Sequence, residues 1–90
     1  MIIISYDIKD QKLRAKFSRF LMKSGCIRLQ FSVYELNNTS RAIDIIKENI
    51  KSKYSKLFTP DDSVVIFTAP NAQVEKYGNA IHRDSDLLAF

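Results

Sequence analysis

Basic side chains are concentrated in one stretch of this 90-residue chain. Between Lys9 and Arg28 there are seven lysines and arginines against one acid, Asp10. Four of them recur at spacings of four, three and four residues, which places them along one edge of a helix. These four are Lys12, Lys16, Arg19 and Lys23. Such a row can contact nucleic-acid phosphates without reading bases, although a solvated helix face has the same pattern, so charge alone leaves both interpretations open.

Two more arginines and several polar residues could contribute to a binding surface. Arg14 falls on the opposite edge of the same predicted helix, closer to the end of the first strand. Arg28 lies in a stretch that alternates with period two, and we expect it to share a strand face with Gln30, Ser32 and Tyr34. That face could bind phosphate oxygens or stack on bases, or it could be a sheet surface or an interface.

Side chains typical of nucleophilic catalysis are scarce. Cys26 is the single cysteine, which excludes an intrachain disulfide and a cysteine-based zinc cluster, and we interpret it as an inert thiol. The single histidine, His82, lies in a polar stretch and is interpreted as a solvated loop residue. Phe17, Phe20 and Phe31 fall on apolar faces, so we predict that they are core residues and not stacking platforms.

Composition favours one folded cytoplasmic domain. Apolar residues make up 46% of the chain, which argues against disorder, and the apolar runs are too short to span a membrane. Residues 1–56 carry 12 of the 14 basic residues and 5 of the 10 acids. One end of the molecule should therefore be cationic, as expected of a surface that meets a polyanion. We expect no association with membranes.

The apolar pattern indicates which elements carry these residues. Residues 2–6 predict a central strand that ends at Asp7. Asp10 can cap a helix from Gln11 to Ser24, and Gly25 can end it.

The second half of the chain continues the alternation of strands and helices. Residues 27–35 form either one strand or two short strands bent near Phe31. Thr39 or Ser40 can cap a second helix that extends to about Tyr54, and a strand is predicted over residues 63–68.

This order of elements predicts an α+β fold. With two strands between the helices it is a ferredoxin-like βαββαβ sandwich, and the apolar residues 86–90 would add an extra C-terminal strand. We expect a single domain over residues 1–90, with a core at 1–70 and an extension at 71–90. Because such a sheet leaves one face bare, we expect a homodimer with the extension at its interface.

Two segments resemble the CRISPR-associated protein 2 family, the small subunit of spacer acquisition. The first is Ile-Ser-Tyr-Asp-Ile at residues 4–8, and the second is Gln-Phe-Ser-Val-Tyr-Glu at residues 30–35, with Arg14 between them. The resemblance covers the whole chain in length and element order, and it is most specific over residues 2–35.

This resemblance implies a ferredoxin-like homodimer in which the two copies of Asp7 lie near the two-fold axis. It implies that the dimer bridges subunits of the CRISPR-associated protein 1 integrase while duplex DNA lies across the platform. It also implies a metal-dependent endonuclease on RNA or DNA, with Asp7 as the metal ligand and a surrounding set of Arg14, Lys16, Arg28, Ser32 and Tyr34. Lys16 departs from the arginine of many members and keeps the charge without bidentate geometry.

The metal assignment makes chemical sense only with two chains. One carboxylate is a poor Mg²⁺ site, whereas two copies of Asp7 on a symmetry axis could share an ion and activate water. The other interpretation is that Asp7 is a turn residue at the end of a strand. We therefore favour a homodimeric double-stranded-DNA-binding adaptor. The alternatives are a Mg²⁺-dependent endoribonuclease or DNase and, third, a toxin-type ribonuclease that acts without an integrase.

Overall fold

Two helices pack on one face of a four-stranded antiparallel sheet in the computed structural model, which describes residues 1–69 and 74–78. The elements in chain order are β1 (Ile2–Asp7), α1 (Gln11–Lys23), β2 (Ile27–Gln30), β3 (Val33–Leu36), α2 (Ser40–Asn49) and β4 (Ser63–Thr68). A π-helical turn (Ile50–Tyr54) and a 3-10 turn (Ser55–Leu57) prolong α2. The spatial order β2-β3-β1-β4 confirms the predicted ferredoxin-like arrangement.

The first helix begins and ends where its capping residues place it. The Asp10 side chain accepts a hydrogen bond from the Leu13 backbone N–H at 2.8 Å, which satisfies an otherwise unpaired donor of the first turn. At the other end, Gly25 has a φ of 94°, a left-handed conformation that a residue with a Cβ adopts only with strain. The predicted boundaries are confirmed to within one residue, because α1 ends at Lys23.

The core lies between the sheet and the helices, and Phe17 occupies its centre. This side chain is fully buried, and its ring centroid lies 5.2 Å from Tyr6 and 5.1 Å from Tyr54 in edge-to-face geometry. Ile2 and Ile4 on β1 are also fully buried against this layer. Alternation along β1 therefore directs Ile2, Ile4 and Tyr6 to the helices.

The opposite side of the sheet is less covered, and we call it the open face. It carries Ile3, Ser5, Val33, Val65 and Phe67, which the strand register places side by side. Val65 and Phe67 are 47% and 58% exposed, so apolar area on β4 remains available to a partner.

One end of the open face is covered by a segment distant in sequence. Glu35 on β3 is buried, and its carboxylate forms an ion pair with the Lys76 ammonium. This pair holds part of segment 74–78 against the sheet. The strand expected at residues 86–90 and the loop histidine His82 lie outside the described residues.

The stretch from Ile27 to Glu35 forms two strands, and its alternation does not continue through the turn. β2 and β3 pair antiparallel, so the stretch is a hairpin and not one strand. A register shift between Arg28 and Gln30 places Gln30 opposite Val33, which interrupts the period-two alternation. The prediction that Phe31 is a core residue is wrong, because it lies in the β2–β3 turn and is 66% exposed. Tyr34, expected on a polar strand face, is instead completely buried beneath the helices.

Candidate nucleic-acid interface

Helix α1 displays a row of four exposed cations, which we call the basic row: Lys12, Lys16, Arg19 and Lys23. Within residues 1–69 and 74–78, ion pairs form at Lys9 and Lys76 and not in this row. Its charges are therefore free to interact with an external anion. From Lys12 to Lys23, eleven residue steps at 1.5 Å each, the row gives a continuous cationic edge about 17 Å long.

The basic row borders a groove between α1 and the turns that follow α2. A cavity of about 280 Å³ is lined there by Lys16, Arg19, Lys23 and Tyr54, among others. Burial raises the pKa of Tyr54, and the positive charge of Arg19 offsets only part of this rise, so the phenol stays neutral. Lys53 lies in the π-helical turn after α2, and its ammonium is 5.4 Å from the centre of the Tyr54 ring. The helical spacing of α1 could not predict this additional charge, because Lys53 belongs to another element.

Arg14 and Arg28 meet on the other edge of α1. Together with five other residues they line a cavity of about 250 Å³, which we call the arginine cavity. Its remaining lining residues are Tyr6, Gln11, Ala15, Ser18 and Phe31. The prediction that Arg14 lies on the edge of α1 opposite the basic row is confirmed. Arg28 of β2 lines the same cavity as Arg14, a proximity that the sequence did not predict.

Backbone carbonyl groups position both guanidinium groups of this cavity. Arg14 Nη1 donates to the carbonyl of Ile8 at 3.1 Å, and Arg28 Nε donates to the carbonyl of Gln30 at 3.4 Å. The Arg28 guanidinium carbon also lies 5.1 Å from the centroid of the Phe31 ring. Each arginine retains further N–H donors for a ligand, since a guanidinium has five.

Beside this cavity lies a buried group of hydroxyls. The Tyr34 and Ser18 hydroxyls share a hydrogen bond, and the Tyr6 ring stacks 6.0 Å from that of Tyr34. Burial and the neighbouring Tyr34 hydroxyl raise the pKa of Tyr6. Because Tyr34 is completely buried, a ligand cannot reach it. Its hydroxyl belongs to the hydrogen-bond network of the core.

Asp7 and Ser32 do not line the arginine cavity. Asp7 follows Tyr6 on β1, so strand alternation directs its side chain away from the helices. Ser32 lies in the β2–β3 turn, where its carbonyl accepts the Tyr6 backbone N–H at 3.1 Å. Six residues were assigned to the nuclease site by the resemblance. Arg14 and Arg28 share one cavity beside the buried Tyr34. Lys16 lies on the opposite edge of α1, and Asp7 is on the other side of the sheet.

The carboxylate of Asp7 is exposed at the end of β1, where both of its oxygens lie 3.1 Å from the Lys9 ammonium. The Lys9 backbone N–H donates to Asp62 at 2.8 Å, and this bond together with one from Thr59 lowers the pKa of the Asp62 carboxyl. These contacts fix the strand end against the loop before β4.

Within residues 1–69 and 74–78, the side chains of one chain do not form a magnesium site at Asp7. In the part of the chain that the structure describes, no cluster of three or more histidine, cysteine or acidic side chains could hold a metal ion. Mg²⁺ prefers several hard oxygen ligands in octahedral geometry, whereas Asp7 offers one carboxylate already paired with Lys9. Asp7 would hold Mg²⁺ only together with further oxygen ligands, which the paired-aspartate hypothesis takes from a second chain.

Cys26 is equally unsuited to chemistry. The side chain is buried behind the end of α1, and this burial raises the pKa of its thiol to about 11. The thiol is therefore protonated near neutral pH and shielded from solvent, in agreement with its interpretation as inert.

Comparison with known proteins identifies the family. The family model described as CRISPR associated protein Cas2 matches residues 1–77. The chain belongs to this family. It is 25% identical over 76 residues to a CRISPR-associated endoribonuclease Cas2 from Thermofilum pendens (strain DSM 2475 / Hrk 5), a match that covers 84% of this chain and 77% of that relative.

A solved structure shares the fold of this Cas2-family chain. It is the crystal structure of a hypothetical protein, TT1823, from Thermus thermophilus. The TM-score is 0.65 at 25% sequence identity, and the alignment covers 86% of this chain and 88% of that one. The resemblance seen in residues 2–35 is thus confirmed at the level of the family, with a role related to CRISPR. Over the described residues, neither helix has the length and apolar character needed to cross a membrane.

Proposed function

We propose that this chain is a homodimeric adaptor that binds double-stranded DNA and bridges subunits of the CRISPR-associated protein 1 integrase during spacer acquisition. The observation that carries the DNA contact is the basic row on α1, whose four exposed cations have no acidic partner within the described residues. Lysines and arginines along one helix edge suit contact with successive phosphates. They supply affinity and orientation and read no sequence.

A dimer would make the DNA surface longer than one helix. The open face exposes Val65 and Phe67 on β4, and an apolar patch of this kind favours association with a second copy. A two-fold interface uses the same patch on both chains, so two basic rows would belong to one particle. Membership of the Cas2 family supports the proposed contact with the integrase.

Salt dependence of duplex binding tests the proposal. We expect affinity for a blunt duplex to fall steeply with salt and to be the same for unrelated sequences, because counterion release dominates. The double variant Lys16→Ala/Arg19→Ala should lower the slope of log K against log salt by about 2 for each protomer that contacts the duplex, at roughly 0.9 per phosphate contact.

A matched control removes the same charge elsewhere. Arg41 and Lys47 are exposed on α2, so the variant Arg41→Ala/Lys47→Ala has the same net charge as the test variant. Its slope should stay close to that of the wild type. A flat salt dependence for the wild type, or equal losses in both variants, would contradict the DNA contact. Co-purification with the integrase subunit tests the bridging role.

A second candidate function is a Mg²⁺-dependent endonuclease with Asp7 from two chains. It is favoured by the exposed Asp7 carboxylate at a strand end and by the relative named as an endoribonuclease. A bound Mg²⁺ would supply an activated water and neutralise charge on the phosphate. In this function the two copies of Asp7 would hold the ion, and Arg14 and Arg28 would not contact the same phosphate, because they lie on the other side of the sheet.

The variant Asp7→Asn separates the two functions. If the endonuclease is real, cleavage of RNA or DNA in the presence of Mg²⁺ should be abolished while duplex affinity is retained. The control Asp44→Asn alters an exposed acid on α2 and should cleave as the wild type does. Unchanged cleavage by Asp7→Asn would exclude the paired-aspartate mechanism. A cleaving protein that never associates with the integrase would indicate the toxin-type ribonuclease instead.

A further inference from the structure

Phe31 is an exposed aromatic ring at the edge of a cationic cavity, and a duplex lying on the basic row does not use it. The ring is 66% exposed in the β2–β3 turn, and it lines the arginine cavity. The Arg28 guanidinium lies over the ring, 5.1 Å from its centroid, and so restrains its orientation. The result is a positioned aromatic surface beside two positive charges.

We propose that the arginine cavity binds one unpaired nucleotide, with its base stacked on Phe31 and its phosphate in contact with Arg14 and Arg28. The inference rests on the proposed function, because it assigns a single-stranded portion of the same nucleic acid to the edge of α1 opposite the basic row. A duplex with a frayed or overhanging end contains both portions.

Stacking chemistry distinguishes this site from the basic row. Bases stack on aromatic side chains with little dependence on sequence, because every base has a π-face. Within a duplex both faces of a base are covered by its neighbours, so this site requires a base from separated strands, at a frayed or overhanging end, a fork or a single strand. Phe31 remains largely exposed although Arg28 lies over its ring, so part of the residue's surface is available to a base.

The cavity also has suitable size and charge. At about 250 Å³ it lies just below the roughly 300–1,000 Å³ of sites for drug-sized ligands, so it can admit part of one nucleotide and excludes a duplex. Arg14 uses one N–H on the Ile8 carbonyl and retains others for phosphate. Tyr6 and Ser18 line the same cavity as neutral hydroxyls, and the raised pKa of Tyr6 keeps that phenol uncharged.

Fluorescence provides a direct test, because the sequence contains no tryptophan. The variant Phe31→Trp introduces a unique fluorophore at the proposed stacking position. We expect saturable quenching by single-stranded oligothymidylate and none by a blunt duplex of the same length. The control Tyr77→Trp places a tryptophan at an exposed aromatic position outside the arginine cavity, and neither probe should quench it.

Affinity measurements with Phe31→Ala complete the test. Its affinity for the single strand should fall about tenfold while its affinity for the duplex stays nearly unchanged. Absence of quenching in Phe31→Trp, or a duplex affinity of Phe31→Ala that falls as much as its single-strand affinity, would overturn the inference. Salt-dependent duplex binding by the wild type tests the proposed function separately. If the wild type binds neither probe, the proposed function fails together with the inference.

Discussion

At the scale of single residues, partner groups decide whether a polar side chain is structural or available. Tyr34 and Arg28 lie directly opposite each other on β3 and β2. Tyr34 is completely buried and bonded to Ser18, whereas Arg28 reaches the surface over Phe31. From the sequence we expected both residues on one polar strand face. Strand alternation predicts which residues share a side of the sheet, but it does not predict how far each side chain is buried.

The buried position of Tyr34 predicts a stability role. The variant Tyr34→Phe removes a buried hydroxyl that bonds to Ser18 and leaves the half-buried Ser18 hydroxyl without this partner. We expect a loss of about 1 kcal/mol in the free energy of unfolding, measured by urea denaturation, with duplex affinity unchanged.

Tyr77→Phe is the matched control for this substitution. The Tyr77 hydroxyl donates to Glu75 at 2.9 Å on the exposed surface, so its removal should change stability by less than about 0.5 kcal/mol. Equal effects of the two substitutions would contradict the assignment of Tyr34 to the core network.

At the scale of elements, α1 carries the binding residues on two edges. The basic row faces the turns after α2, and Arg14 faces β2. Helical spacing predicted both edges from the sequence, since residues three and four apart lie on one side of a helix. What each edge faces depends on how the helix packs, and spacing does not determine that.

The N-terminal cap of α1 should contribute measurably to stability. The variant Asp10→Ala removes the acceptor for the Leu13 N–H and should lower the free energy of unfolding by about 1 kcal/mol. Asp10→Asn keeps a capping oxygen and should be close to the wild type in a thermal or urea unfolding experiment. A loss of similar size in both variants would indicate that the charge of Asp10 matters more than the cap.

At the scale of the whole molecule, the sheet separates two kinds of surface. The helical side carries the cations of α1, and the open face carries apolar residues of β1, β3 and β4. Asp7 lies on the open side, where a partner chain would bring a second copy of it, and the arginine cavity lies on the helical side. Within one chain, the candidate metal ligand and the candidate phosphate ligands are therefore separated by the sheet.

Association through the open face gives a prediction about molecular mass. The variant Phe67→Glu places a charge in the proposed interface and should shift the protein from dimer to monomer in sedimentation equilibrium. Ile45→Glu alters a similarly exposed apolar residue on α2 and should leave the mass unchanged. A monomeric wild type at high concentration would contradict the adaptor proposal, because the two basic rows would no longer share one particle.

Local patterns in the sequence were enough to predict the order of elements, the limits of α1, the position of the basic row and membership of the family. These depend on spacing between near neighbours, on caps such as Asp10 and on motifs such as residues 30–35, all of which are local. Tertiary structure decided that Phe31 is exposed and that Glu35 pairs with Lys76, 41 residues away. The exposure of Phe31 depends on strand register, and the Glu35–Lys76 pair depends on contact between distant segments. A local pattern of apolar and polar residues predicts neither of them.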